Sequence, residues 1–255
     1  MFKGKIIIGN WKMNPLTLKE AEKLFTGVVK SVSTVKNTEI VACPPFLYLE
    51  KLKKLSKKIS LGAQDAFWGD TGAFTGEVSA EMLYGAGARY VILGHSEKRA
   101  QGESDSEINK KIKSSLASGL LPILCVGENE RDLNHEYFNL IKAQLKVCLE
   151  GISKSLASKI IIAYEPVWAI SSTPDRKDAT PDDSQEMVIF IRKILFDKFG
   201  PDGGRMRIIY GGSVSEKSAE EFLRNGGVDG LLVGRASLDA KKFGEIVKTC
   251  EVLNK

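Results

Sequence analysis

Histidine is scarce in this chain: two stand in 255 residues, His95 and His135. Four cysteines, Cys43, Cys125, Cys148 and Cys250, lie far apart and form no CxxC pair. A structural zinc site needs Cys or His pairs at close spacing, so no metal site is expected. The cysteines read instead as buried free thiols, which suits a reducing compartment. Long apolar runs are missing too. The N-terminal MFKGKIIIGNWKMN has three consecutive isoleucines before it turns polar. That is too short for a signal-peptide core or a membrane span, and no other segment is long enough. A cytoplasmic address and no membrane partner are the expectation. No GxGxxG follows the first strand candidate, and neither GxxxxGKS nor GxxxxGKT occurs, so the dinucleotide and P-loop signatures are absent. No cofactor is expected.

What remains is an ordinary globular composition, 43% apolar and 27% charged. The length suits one hydrophobic core and is typical of an α/β barrel. The net charge of +5 is a mild positive field that steers small anions inward. The densest basic stretch, KLKKLSKK (51–58), interleaves lysines with Leu52, Leu55 and Ile59 at helical spacing. It reads as the wet face of an amphipathic helix, not as a nucleic-acid surface.

Short β-branched runs alternate with longer amphipathic ones. The strand candidates are 5–10, 39–43, 59–64, 89–94, 121–127, 159–165, 205–211 and 228–234. Their near-continuous apolar character is that of parallel strands buried on both faces. Between them, 18–32, 136–152 and 185–199 carry apolar residues three and four apart, the helical period. Thr180-Pro181-Asp182-Asp183 supplies a capping hydroxyl, a proline at the first helical position and acids facing the helix dipole. Eight such units without interruption predict one α/β domain over 1–255, a closed (β/α)₈ barrel.

Catalytic side chains of such barrels come from the C-terminal ends of the strands. There the chain has Asn10-Trp11-Lys12-Met13-Asn14, Gly94-His95-Ser96-Glu97, Tyr164-Glu165-Pro166, Gly211-Gly212-Ser213 and Gly234. A carboxylate, an imidazole and an ammonium thus converge on one rim. Beside them lie two glycine-bearing turns, each expected to open a helix and cradle a phosphate. A carboxylate in a dry site can take a carbon-bound proton next to a carbonyl. An imidazole can polarise that carbonyl, and a lysine can stabilise the enediolate charge. His135 precedes an amphipathic helix far from any strand end and reads as solvated.

NWKMN (10–14), GHSEKR (94–99), AYEPVWAI (163–170) and YGGSV (210–214), in this order, resemble the triosephosphate isomerase family, and the match runs to VGRASL (233–238). That family is the established example of a glutamate base with a neutral histidine beneath a closing loop. The resemblance implies a glycolytic and gluconeogenic isomerase acting on a small phosphorylated triose. It implies Glu165 as base, His95 as electrophile, Lys12 as stabilising cation, Asn10 as a polar contact and Glu97 as the carboxylate beside Lys12. The substrate phosphate would meet N–H groups at Ser171, Ser213 and Gly234, plus Arg235. Residues 64–83 are similar to the family's protruding third loop, with Thr75 reaching a neighbouring subunit, so a homodimer is implied. Read by itself, that loop bears exposed Phe67, Trp68 and Phe74, a patch that wants a partner.

Two features depart from the family pattern. Ser171-Ser172-Thr173 stand where relatives carry Gly-Thr-Gly, followed by an insertion, Pro174-Asp175-Arg176, between the hinges 166–168 and 177–179. Arg235 stands where many relatives have glycine. Two rival readings share the scaffold. Another barrel enzyme for phosphorylated sugars would keep the phosphate loops without the trio of Lys12, His95 and Glu165. An idle metabolite- or partner-binding barrel is expected to have lost one of the three.

Overall fold

A computed structural model describes residues 4–170 and 177–254. Eight parallel strands close into a barrel in sequence order. They are β1 (Ile6–Asn10), β2 (Glu39–Cys43), β3 (Ser60–Ala63), β4 (Ala88–Leu93), β5 (Leu121–Val126), β6 (Ile161–Tyr164), β7 (Ile208–Tyr210) and β8 (Gly230–Val233). Closure is made by β1, whose Ile6 pairs with Glu39 on one side and Gly230 on the other. The barrel wall is surrounded by α1 (Leu18–Ser31), α2 (Leu49–Lys53), α3 (Ala80–Ala86), α4 (Ser96–Ala100), α5 (Asp105–Ala117), α6 (Glu136–Cys148), α7 (Lys154–Ala157), α8 (Pro181–Phe199), α9 (Pro201–Gly204), α10 (Ala219–Asn225) and α11 (Ala240–Leu253). Among the described residues no helix is long and apolar enough to cross a membrane.

The continuous apolar strands are explained by two separate cores. Ile6, Ile8, Val41, Ile92, Ile123 and Ile209 point inward and fill the barrel. Ile7, Ala42, Val91, Leu124 and Ile162 point outward beneath the helices. Alternation within each strand therefore serves two cores at once. Each fully buried isoleucine contributes roughly 1.5–3 kcal/mol over exposure.

Helix starts follow local chemistry. Thr180 accepts the Asp183 N–H at 3.2 Å while the Asp183 carboxylate takes the Thr180 N–H at 2.8 Å, with Pro181 at the first position. Thr17 with Glu20 and Ser104 with Glu107 close the same reciprocal box at α1 and α5.

Some expectations need correction. The helix expected through 51–58 ends at Lys53. Leu52 is buried, Leu55 is exposed, and Ile59 is buried at the entrance to β3. The lysines do lie outside, but helical spacing over eight residues cannot distinguish a helix from a short helix followed by a turn. In the loop 64–83, Phe67 is buried and Trp68 half-buried, leaving Phe74 as the exposed ring. Phe67 stacks on Trp68 at 4.2 Å and tilts onto Phe74 at 4.6 Å, so the loop partly satisfies its own aromatics. Its base is pinned by Phe67 N–H to the Val78 carbonyl at 2.8 Å. The turn after β7 does not open a helix: α10 starts only at Ala219. The turn after β8 does, because a 3₁₀ turn begins at Arg235 directly after Gly234. All four cysteines are free and buried, and burial pushes the Cys148 thiol up to about 12 and Cys250 up to about 11.

Candidate active site

β6 ends at Tyr164, and Glu165 extends its ladder by donating its N–H to the Val126 carbonyl at 2.8 Å. The side chain then turns into the C-terminal mouth of the barrel, where Glu165 is 2% exposed. Gly211 gives it room, since a Cβ there would lie 2.8 Å from the Glu165 Cγ. At the end of β4, Gly94 turns the chain with φ of +69° and delivers His95 to the same mouth. The His95 Nε2 lies 3.3 Å from Glu165 Oε1. Its Nδ1 accepts the Glu97 N–H at 3.2 Å at the start of α4. An imidazole nitrogen that accepts a backbone N–H carries no proton, so the ring is neutral with its hydrogen on Nε2.

β1 supplies the cation. Lys12 follows the strand with φ of +52°, a left-handed conformation that only glycine adopts freely. Asn10 holds it there by accepting the Lys12 N–H at 3.0 Å, and Gln64 donates to the Lys12 carbonyl at 2.8 Å. The Lys12 ammonium pairs with Glu97 at 2.6 Å. These groups face one cavity of about 430 Å³, within the size range of small-molecule sites. Asn10, Lys12, His95 and Glu165 line one side of it, and Ser213, Gly234 and Arg235 line another.

Thr75 is exposed in the loop 64–83, away from this cavity within the single chain. Ser171 lies outside the described residues, as does the rest of the departing segment 171–176. His135 is exposed, as expected, but its Nδ1 sits 2.9 Å from the Tyr137 hydroxyl.

Two partners were not anticipated from the residues. The Ser96 N–H donates to Glu165 Oε2 at 3.1 Å, a backbone contact that no side-chain pattern reveals. Glu128 is fully buried next to β5, and its Oε1 accepts the Tyr164 hydroxyl at 2.7 Å and the Trp168 indole N–H at 2.8 Å. It thereby ties the end of β6 to the segment 166–168. A signal existed: Glu128 follows Val-Gly at a strand end, much as Glu165 follows Ala-Tyr. Burial, and next the Glu128 charge, push the Tyr164 hydroxyl well above its usual range. Burial, and next the Glu165 charge, do the same to the Cys125 thiol. The rim is therefore a dry site with carboxylate charge concentrated in it.

A closed parallel barrel with a buried carboxylate facing a neutral imidazole across its C-terminal mouth defines a (β/α)₈-barrel enzyme of the acid–base kind. The model of the triosephosphate isomerase family matches residues 5–250. Triosephosphate isomerase of Moorella thermoacetica is 44% identical over 247 residues, covering 95% of this chain and 97% of that one. The Aquifex aeolicus enzyme of the same name is 44% identical over 248 residues, covering 95% and 98%. The crystal structure of triosephosphate isomerase from Bartonella henselae superposes with a TM-score of 0.84 at 36% identity, covering 96% of this chain and 98% of that one. This chain belongs to the triosephosphate isomerase family.

Proposed function

We propose that this chain interconverts dihydroxyacetone phosphate and D-glyceraldehyde 3-phosphate through an enediolate, with Glu165 as base. The observation that carries the reading is the 3.3 Å approach of the buried Glu165 carboxylate to the His95 ring at one cavity. Glu165 takes the proton from C1 of the ketose and returns it to C2. To do so its carboxylate exchanges the Ser96 N–H for the carbon-bound proton. The neutral His95 ring donates from Nε2 to the substrate oxygens as charge grows there. The Lys12 ammonium, oriented by Glu97, stabilises the same charge, and Asn10 makes a polar contact to the substrate. A neutral donor suits an enediolate better than an imidazolium, because its proton affinity is closer to that of the oxygen it serves.

At the remote end, backbone N–H groups of Ser213, Gly234 and Arg235 receive the phosphate, with Ser171 as a fourth contact. Their shared lining of the cavity supports this, as does their place after β7 and β8, where barrels commonly hold phosphate. The same reading makes the protein a cytoplasmic homodimer, each Thr75 loop entering its partner. Exposed Met13, Leu47, Phe74 and Met82 support a covered face. A coupled assay with glyceraldehyde 3-phosphate tests the activity, and absence of turnover would refute it. Sedimentation tests the assembly, where a stable, active monomer would contradict the dimer.

A further inference from the structure

Arg99 lies on α4 one turn after His95 and does not line the cavity. Its guanidinium reaches three oxygen acceptors, and Nη2 also lies 3.8 Å from the Cys148 Sγ. Nε donates to the Gly94 carbonyl at 2.8 Å, Nη2 donates to the Cys125 carbonyl on β5 at 3.2 Å, and Nη1 pairs with Asp105 at the start of α5 at 2.6 Å. Burial, the largest single influence, would weaken the protonated form, but Asp105 and Cys148 together outweigh it and raise the pKa above the ordinary arginine value. A Cβ on Gly94 would come within 3.1 Å of Nη2 and 2.9 Å of Ile108 Cδ1. The guanidinium thus fills the space directly behind the turn that delivers His95.

That turn carries unusual demands. α4 has five residues, too few to hold a helical geometry unaided. Two of its first N–H groups nevertheless meet the reacting side chains, Ser96 with Glu165 and Glu97 with the His95 Nδ1. Something outside the helix must fix it. We propose that Arg99 is a positioning residue for the isomerisation: by tying the Gly94 carbonyl to β5 and α5, it fixes the turn that presents both the His95 ring and the Ser96 N–H. The inference rests on the reading of His95 and Glu165 given above. A planar fork with several donors can satisfy three acceptors at once, whereas a lysine offers a point charge. Displacements near 1 Å suffice to cost ~10²-fold in rate.

The test uses the full chain with Arg99→Gln and Arg99→Lys, checked for folding by circular dichroism and for assembly by sedimentation. Arg99→Gln is expected to lower kcat by about tenfold to a hundredfold. KM should move by less than about threefold, because the phosphate contacts are untouched. Arg99→Lys should recover only part of the loss. In ¹⁵N NMR without substrate, the His95 Nδ1 signal should move in Arg99→Gln, because the Glu97 N–H no longer points at it; a merely structural loss would leave that signal in place. The groups facing this ring are Glu165, Glu97 and, through Glu97, Lys12, and all three remain in the variants. A folded Arg99→Gln with kcat within about twofold of the parent and an unmoved His95 signal would overturn the inference. Should Arg99→Gln not fold, Asp105→Asn decides, since it keeps the arginine and weakens its anchor: a smaller drop in kcat with a moved signal supports the inference, and no change in either overturns it. A parent chain without any turnover overturns the functional reading itself, and with it this inference.

Discussion

At the floor of the barrel, where the strands begin, charges are matched and the backbone is relaxed. Arg207 pairs with Glu39 at 2.7 Å, and the Tyr90 hydroxyl donates to the same carboxylate. Asp229 accepts the Ile208 N–H at 2.9 Å and pairs with Arg192 at 3.2 Å. At the rim the terms are reversed. Lys12 is held in a left-handed conformation that costs about 1–2 kcal/mol, and the buried Glu165 faces a neutral ring where a cation would stabilise it better. Both ends are polar, and each combines buried with partly exposed side chains. The floor uses its polar groups to hold strands together; at the rim they partner one another around a cavity, where a substrate can reach them.

This contrast can be broken by substitution. Glu165→Gln should cut turnover by at least ~10²-fold while leaving the thermal midpoint within a few degrees, read by coupled assay and calorimetry. Near-normal turnover would mean that the proton travels elsewhere. Arg207→Ala should do the opposite. Removing one partner of a mostly buried pair is expected to cost about 2–3 kcal/mol, or roughly 4–12 °C for a chain of this size, with kcat within about twofold. A matching loss of kcat would show that floor and rim are not separable. Thr180→Ala removes the cap of α8, and a loss of about 1 kcal/mol is expected in chemical denaturation.

The smallest effect concerns Glu251, which ties α11 to the entrance of β2. Burial alone would raise this carboxyl, but the N–H groups of Lys36 and Asn37 and the Thr38 hydroxyl outweigh it and hold it below the usual glutamate range. Because the folded value is depressed, its contribution is present above the unfolded value of ~4.3 and fades as pH falls through the folded one. The stability gap between parent and Glu251→Gln should therefore be clear at neutral pH and shrink on acidification. A gap that persists in acid would mean that the side chain acts by shape alone.

Most of this architecture was legible before any coordinates because each strand is apolar on both faces, and only a barrel or a doubly covered sheet needs that. The trio was legible because Lys12, His95 and Glu165 each stand directly at a strand end, where topology brings distant residues together. The failures have a common cause. Helical spacing at 51–58 was local, whereas α2 ends at Lys53 and the chain then turns so that Ile59 is buried at the entrance to β3. Exposure of Phe67 was inferred from its loop, whereas its burial depends on Trp68, Phe74 and the bridge to Ser79. The Ser96 N–H on Glu165 involves a backbone atom, which no residue pattern names.

Ile6 pairs in register with Gly230 across the seam, its N–H donating to the Asp229 carbonyl at 3.0 Å, so the first strand completes its neighbours only when β8 has emerged. Vectorial synthesis therefore leaves that strand with one unpaired apolar edge until late, the stage at which such edges associate with other chains. Lys12 and Arg235 are far apart in the sequence yet line the same cavity. Turnover thus doubles as a readout of synthesis carried past β8, since Gly234 and Arg235 of the cavity lining follow that strand.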